Sequence, residues 1–218
     1  MDSSRKGVLT RFQSDLLGRL SERLPAFFLT GGSALGEFYL GHRASEDLDL
    51  FTDDAQAFDE ADFVVRQVCS ELGLDLVAAR TAPAFRRYVA SRGDQQVVLD
   101  LVLDPVAQID PAKLVIDGIR VDTLREIAVN KVCAMLGRWE PRDLVDLFFI
   151  TRAGIDPLDL LPEARGKDGG LTPASLAFAL RTSPPLQLPH GMLAEVTLAE
   201  LIEFRDRLIG EFVRLAEP

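Results

Sequence analysis

Residues 31–51 read GGSALGEFYLGHRASEDLDLF, and the two ends of this stretch decide how the chain is built. At its head, Gly31-Gly32 turns the chain and Ser33 opens a helix predicted over 33–40, which Gly41 ends. At its tail, residues 47–51 read as a strand. Alternate side chains of a strand share a face, so Asp47 and Asp49 point one way while Leu48 and Leu50 point the other. The free N–H groups of a helix start, with the Ser33 hydroxyl, make an anion site. Phosphate and metal ligands would then face each other across the cleft between two adjacent strands. Taken alone, a D-x-D pair is far more often an exposed strand face than a site, because motifs this short are weak.

A third acid strengthens the pattern. Asp100 lies in VVLDLVL (97–103), and the apolar residues around it predict a strand buried on both faces. An unpaired carboxylate there would cost on the order of several kcal/mol. It must be paired, sit at the open end of the strand, or hold a cation. A salt bridge to Arg86 or Arg87 on the preceding strand is one reading. The other is a three-carboxylate site binding two divalent ions about 4 Å apart, the geometry that clamps a phosphoryl group in transfer.

Working outward, residues 8–24 have helical apolar spacing and stop at Pro25; residues 26–30 read as a buried strand. A helix is predicted over 59–72, ended by Gly73, then strands over 74–79, 85–90 and 96–103, closed by Pro105. After Val121 the pattern turns helical. Asp122 reads as the N-cap of a helix running to Leu136, and Pro141 as the first turn of another through Arg152. Further helices are predicted over 157–164, 173–181 and 198–215, with 167–170 and 183–191 as breakers. The reading is an α+β chain: a mixed-sheet core with flanking helices over 1–121, then a helical domain over 122–218.

Composition limits the chemistry. The 218 residues carry a net charge of -10, from 24 basic and 34 acidic side chains, which opposes non-specific coating of nucleic acid. With only two histidines (His42, His190) and two cysteines (Cys69, Cys133), a zinc site lacks ligands, so a metal here would be carboxylate-bound Mg²⁺ or Mn²⁺. The cysteines read as buried free thiols of a reducing compartment. No signal peptide is evident, and no apolar run is long enough to span a bilayer, so a cytoplasmic protein without membrane partners is expected.

Gly32-Ser33, thirteen residues, then Asp47-x-Asp49 and a later strand acid resembles the polymerase-β-type nucleotidyltransferase fold. More closely, GGSALGEFYLGHRASEDLDLF, with its HR-x-S-x-DLDLF end, resembles the AbiEii/AbiGii abortive-infection toxins, including the MenT toxins. NKVCAMLGRWEPRDLVDLFFI (130–150) matches in the same order, placing that family's lysine and R-D-x-x-D helix at Lys131, Arg142, Asp143 and Asp146. The resemblance covers roughly the first 150 residues. It implies that Gly32 and Ser33 hold a triphosphate, that Asp47 and Asp49 bind Mg²⁺, that Lys131 contacts the nucleotide phosphates and that Asp143 completes the site. It also implies a toxin with a cognate antitoxin and, as in some members, nucleotide transfer to a tRNA 3′ end.

Lys131 also stands out on its own, because an ammonium in an apolar helix needs a reason; a lysine snorkelling at the helix edge is the plain one. Asp143 and Asp146 share a helix face, and Arg142 at i, i+4 is a ready partner for Asp146, which leaves Asp146 a structural role and Asp143 the site role. Arg43 and His42 are placed to contact phosphate or orient the acidic strand, with His42 outside the metal set.

The expected reaction is Mg²⁺-dependent transfer of a nucleoside monophosphate from an NTP to an acceptor hydroxyl, with Asp100 a ligand of the catalytic metal and a candidate acceptor of the hydroxyl proton. An RNA acceptor asks for a basic surface, for which Arg80, Arg86, Arg87, Arg138 and Arg142 are candidates. A small cationic acceptor such as an aminoglycoside suits an acidic cleft, and a protein acceptor stays open. A non-catalytic interaction protein that retains the fold is the remaining class.

Overall fold

The computed structural model describes residues 5–137, 140–183 and 186–217, so Arg138 and part of the 183–191 breaker lie outside the described residues. The chain divides into two compact units, one ending at Thr123 and the other beginning at Leu124. The fold is α+β.

The first unit holds helix α1 (Arg11–Arg23), strand β1 (Phe28–Thr30), helix α2 (Gly31–Ala34), β2 (Asp47–Thr52), α3 (Ala55–Glu71), β3 (Asp75–Ala82), β4 (Phe85–Arg92), β5 (Gln95–Leu103), β6 (Leu114–Ile116) and β7 (Ile119–Val121). Among the described residues its sheet has seven strands in the order β3-β4-β5-β2-β1-β7-β6. Strand β2 is parallel to β5, and β1 to β7; the other neighbours are antiparallel. One face of the sheet is the core. Leu48, Leu50, Leu99, Leu101, Tyr88 and Ala90 are buried on it, and α1 and α3 pack there. Arg86 belongs to this face: its guanidinium stacks 4.3 Å over the Phe58 ring and donates to the Phe58 carbonyl at 2.5 Å, which gives it a structural role.

Several boundaries move for local reasons. Helix α1 begins at Arg11 because Thr10 and Gln13 form a capping box. Val8 and Leu9, expected in that helix, instead donate their N–H groups to the buried Glu37 carboxylate at 2.6 and 2.9 Å. Helix α3 starts early because the Asp54 side chain accepts from the Ala57 N–H. The helix after the glycine pair changes to π-type over Leu35–Leu40 and ends on Gly41 at φ 60°. The β6–β7 hairpin was not anticipated, although its Asp117-Gly118 turn, with φ 50° and 78°, has the usual chemistry of a two-residue hairpin loop. Strand β5 corrects the expectation of burial on both faces: Val97, Leu99 and Leu101 are buried, while Val98 and Val102, flanking Asp100, are only half-buried.

The second unit is helical: α4 (Leu124–Ala134), α5 (Pro141–Arg152), a 3₁₀ turn (Pro157–Leu160), α6 (Leu161–Lys167), α7 (Pro173–Arg181) and α8 (Leu198–Ala216). Its core gathers Ile127, Val132, Leu144, Leu147, Leu160, Leu176, Leu201, Phe204, Leu208 and Phe212. Thr172 and Thr197 cap α7 and α8 through reciprocal bonds with Ser175 and Glu200. Helix α4 begins two residues after Asp122, whose carboxylate is held within the first unit by Lys113 and Thr30. Among the described residues no helix is long and apolar enough to cross a membrane.

Candidate functional site

The second face of the sheet carries a polar row. Register places Thr30 of β1 opposite Asp49 of β2, Asp49 beside Asp100 of β5, Asp100 opposite Arg87 of β4, and Arg87 opposite Arg80 of β3. Cross-strand partners share a face, so this row runs over a sheet whose opposite side is apolar. Asp47 lies on the same face, two residues before Asp49, and both are half-buried while Leu48 and Leu50 are buried. The alternation read from the sequence is therefore present, with the acids on the more open side.

The glycine turn is built against this row. Gly31 has φ 66°, and a Cβ there would lie 2.3 Å from Oδ2 of Asp49. Glycine is required both for the left-handed backbone and for the approach of the carboxylate. A Cβ on Gly32 would meet the Arg43 guanidinium at 2.7 Å, and one on Gly36 would meet the Arg43 carbonyl at 2.7 Å. These two glycines, one helical turn apart, let the segment through Arg43 lie against the helix. Arg43 is buried and donates to the Ala44 carbonyl at 3.1 Å. Ser33 is fully buried, with its hydroxyl 3.5 Å from the Thr30 carbonyl.

At one end of the row, Asp100 gives both carboxylate oxygens to Arg87. Nε donates to Oδ1 at 2.8 Å and Nη2 to Oδ2 at 2.6 Å. This is the salt-bridge reading of Asp100, and strand alternation selects Arg87 over Arg86. The pair holds the Arg87 guanidinium well above its ordinary pKa, with further contributions from the Asp47 and Asp49 charges. At the other end, Asp122 accepts from Lys113 Nζ and from Thr30 Oγ1, each at 2.6 Å. Lys113 Nζ also sits 4.4 Å over the Phe28 ring. Tyr39 donates to the Asp122 carbonyl at 2.5 Å, and burial, reinforced by the Asp122 and Asp110 charges, pushes its phenol up to about 12. Sequence reasoning missed this network, because Lys113 lies in a stretch assigned no element.

In the second unit, Lys131 donates to Asp143 at 2.8 Å and pairs with Asp146 at 2.6 Å, and the Asp146 side chain is fully buried. Arg142 pairs with Glu140 at 2.6 Å, and Asp146 pairs with the ammonium one helix away. Asp143 also accepts from the Glu140 N–H at 3.1 Å, fixing the first turn of α5. The division into a structural Asp146 and a site Asp143 does not follow from this geometry, since both hold the same lysine. Cys69 and Cys133 are free thiols, and burial pushes both up to about 11, which removes thiolate chemistry at neutral pH.

Hard oxygen donors on one open face suit Mg²⁺ or Mn²⁺, and a guanidinium already lies in the field of the acids. Among the described residues no group of three His, Cys, Asp or Glu side chains converges as a metal cage. Mg²⁺ commonly binds through one or two carboxylates with substrate phosphates and water completing its shell, so Asp47 and Asp49 fit the role of a substrate-completed site.

Against known proteins, the model of the family described as nucleotidyl transferase AbiEii toxin, type IV TA system, matches residues 15–216. Among solved structures, the chain is similar to JHP933 from Helicobacter pylori, with a TM-score of 0.61 and 19% identity over 92% of this chain and 88% of that one. It is also similar to MenT4, a nucleotidyltransferase toxin from Mycobacterium tuberculosis, with a TM-score of 0.61 and 17% identity over 95% of this chain and 82% of that one. A search of curated proteins finds no significant match.

Proposed function

The chain belongs to the AbiEii family of nucleotidyltransferase toxins, and on that premise we propose that it transfers a nucleoside monophosphate from an NTP to the 3′ hydroxyl of an RNA, with tRNA the expected acceptor, in a Mg²⁺-dependent reaction. The observation that carries this reading is the pairing of two carboxylates with a glycine turn: Asp47 and Asp49 share the open face of β2, and Asp49 abuts Gly31 where the helix begins. Asp47 and Asp49 would hold the metal, and substrate oxygens would complete its shell. When bound, the metal supplies charge neutralisation at the transferred phosphoryl group and a lowered pKa for the attacking hydroxyl.

The chain's own residues supply position. Gly31 lets the Asp49 carboxylate approach the start of the helix, where the N–H groups of Gly32 and Ser33 would serve the triphosphate. Arg43 packs against the helix at Gly32 and Gly36. In the helical unit, Asp143 and Asp146 hold the Lys131 ammonium, to which the family resemblance gives the role of contacting nucleotide phosphates. RNA is favoured as acceptor because Arg80 and Arg87 stand on the same sheet face as the acids, against the Phe85 ring at 5.5 and 5.7 Å. The site would work in the cytoplasm, with a neutralising antitoxin as partner in keeping with the family.

The test is incubation with each of the four labelled NTPs, Mg²⁺, and in parallel total RNA, total protein and an aminoglycoside. Label in RNA supports the proposal, and label in protein or aminoglycoside replaces the acceptor. An Asp49→Ala variant that keeps full toxicity would favour a non-catalytic interaction protein.

A further inference from the structure

Asp100 and Arg87 carry the site further than the acid pair does. We infer that Arg87 is a phosphate-contacting residue of the transfer site, and that Asp100 is its anchor rather than a metal ligand. This rests on the reading of Asp47 and Asp49 as the metal-holding pair.

Three observations combine. First, both oxygens of Asp100 are taken by one guanidinium, at 2.8 and 2.6 Å, in a fork-to-fork pair. Ligating a metal with this carboxylate would require breaking the strongest geometry available to an arginine. Second, the pair is built to present its cation. The Asp100 side chain is 6% exposed and the Arg87 side chain 39%. With the acid buried and the guanidinium facing outward, the cation of this pair is open to a ligand. Third, the head group is fixed in orientation. Nε and Nη2 are committed to Asp100, Arg87 lies 5.7 Å from the Phe85 ring, and among the described residues Nη1 carries no bond. Arg87 thus offers a prepositioned N–H donor in the field of Asp47 and Asp49, where a metal-bound phosphate would meet it.

The ligand chemistry is a phosphate oxygen, and it has two sources: the triphosphate of the nucleotide or the backbone of the RNA acceptor. Separate titrations distinguish them. The full-length protein and its Arg87→Ala, Arg87→Lys, Asp100→Asn, Arg87→Ala/Asp100→Asn and Asp49→Asn variants would be titrated with Mn²⁺ alone, a fluorescent NTP analogue, and a labelled single-stranded RNA. Thermal unfolding confirms that each variant is folded, and Arg87→Lys keeps the charge if Arg87→Ala does not fold. The expected result is Mn²⁺ affinity within about twofold of wild type for Asp100→Asn, and a loss of about tenfold or more for Asp49→Asn. Arg87→Ala and Arg87→Lys should each weaken one phosphate ligand by about tenfold, with Asp100→Asn matching them and the double variant no worse than either single one. Loss with the nucleotide assigns Arg87 to the triphosphate; loss with RNA assigns it to the acceptor. Mn²⁺ binding weakened in Asp100→Asn as much as in Asp49→Asn overturns the inference, and so does unchanged affinity for both phosphate ligands in the Arg87 variants. Unchanged Mn²⁺ binding in Asp49→Asn would instead sink the acid-pair reading, and the phosphate titrations would still judge Arg87.

Discussion

On the sheet of the first unit, Arg87 leaves 39% of its side chain exposed over an anchoring carboxylate that is 6% exposed. In the helical unit, Lys131 is 12% exposed between two carboxylates at 10% and 0%. Both are cations held by aspartates at hydrogen-bonding distance, yet they differ in what is left over. The planar guanidinium is presented outward with one amino group uncommitted, whereas the ammonium is drawn between two acids that would be costly to leave buried without it. A presented cation is suited to reading a ligand. An enclosed one also holds the fold, so its effect on activity must be separated from its effect on stability.

The largest effect that could break this comparison is at the acid pair itself. Asp49→Asn should lower nucleotide transfer by about a thousandfold or more while leaving the unfolding temperature near that of wild type, as read by label incorporation and calorimetry. Lys131→Ala comes next, with a different signature. It leaves Asp143 and Asp146 without their ammonium and should cost about 3–5 kcal/mol, a fall of about 10 °C in unfolding temperature. Arg87→Ala strands one buried carboxylate, Asp100, where Lys131→Ala strands two, and should cost less, about 2 kcal/mol by the same measurement. Equal stability losses at the two sites would erase the distinction between a presented and an enclosed cation.

Glycine substitutions sharpen it further. Gly31→Ala puts a Cβ 2.3 Å from Oδ2 of Asp49, and should reduce activity by about tenfold or more. Gly73 has nearly the same φ, 65°, with nothing within 4 Å of a Cβ. Gly73→Ala should therefore cost only the backbone term, about 1–2 kcal/mol, with activity per folded molecule unchanged.

The smallest effect concerns pH. The folded Tyr39 phenol titrates near 12, above the ordinary value of 10.0. The folded state therefore keeps a proton that the unfolded state loses between those values. The stability contributed by Tyr39 is complete below pH 10 and is lost as pH rises towards 12. Tyr39→Phe should flatten the fall in unfolding temperature over that interval.

How far the sequence carried this account depended on whether a feature was local. The alternation of Asp47 and Asp49 against Leu48 and Leu50, and the glycine turn before them, are readable because strand period and turn chemistry need only neighbours in the chain. The choice between Arg86 and Arg87 as partner of Asp100 required the β4–β5 register, which slips every side chain to the other face if moved by one residue. Lys113 and Asp122 are near in sequence, but their pairing depends on the Asp117-Gly118 hairpin between them. The pairing of Asp146 with Lys131 was hidden by a nearer partner on the same helix.

The most direct test of the central claim is transfer of label from each NTP to total RNA in Mg²⁺, comparing wild type with Asp49→Asn. The account predicts a labelled RNA band that appears with wild type, is lost on chelation and is absent with the variant. Equal labelling by Asp49→Asn, or no labelling of any RNA by wild type with any of the four nucleotides, would contradict it.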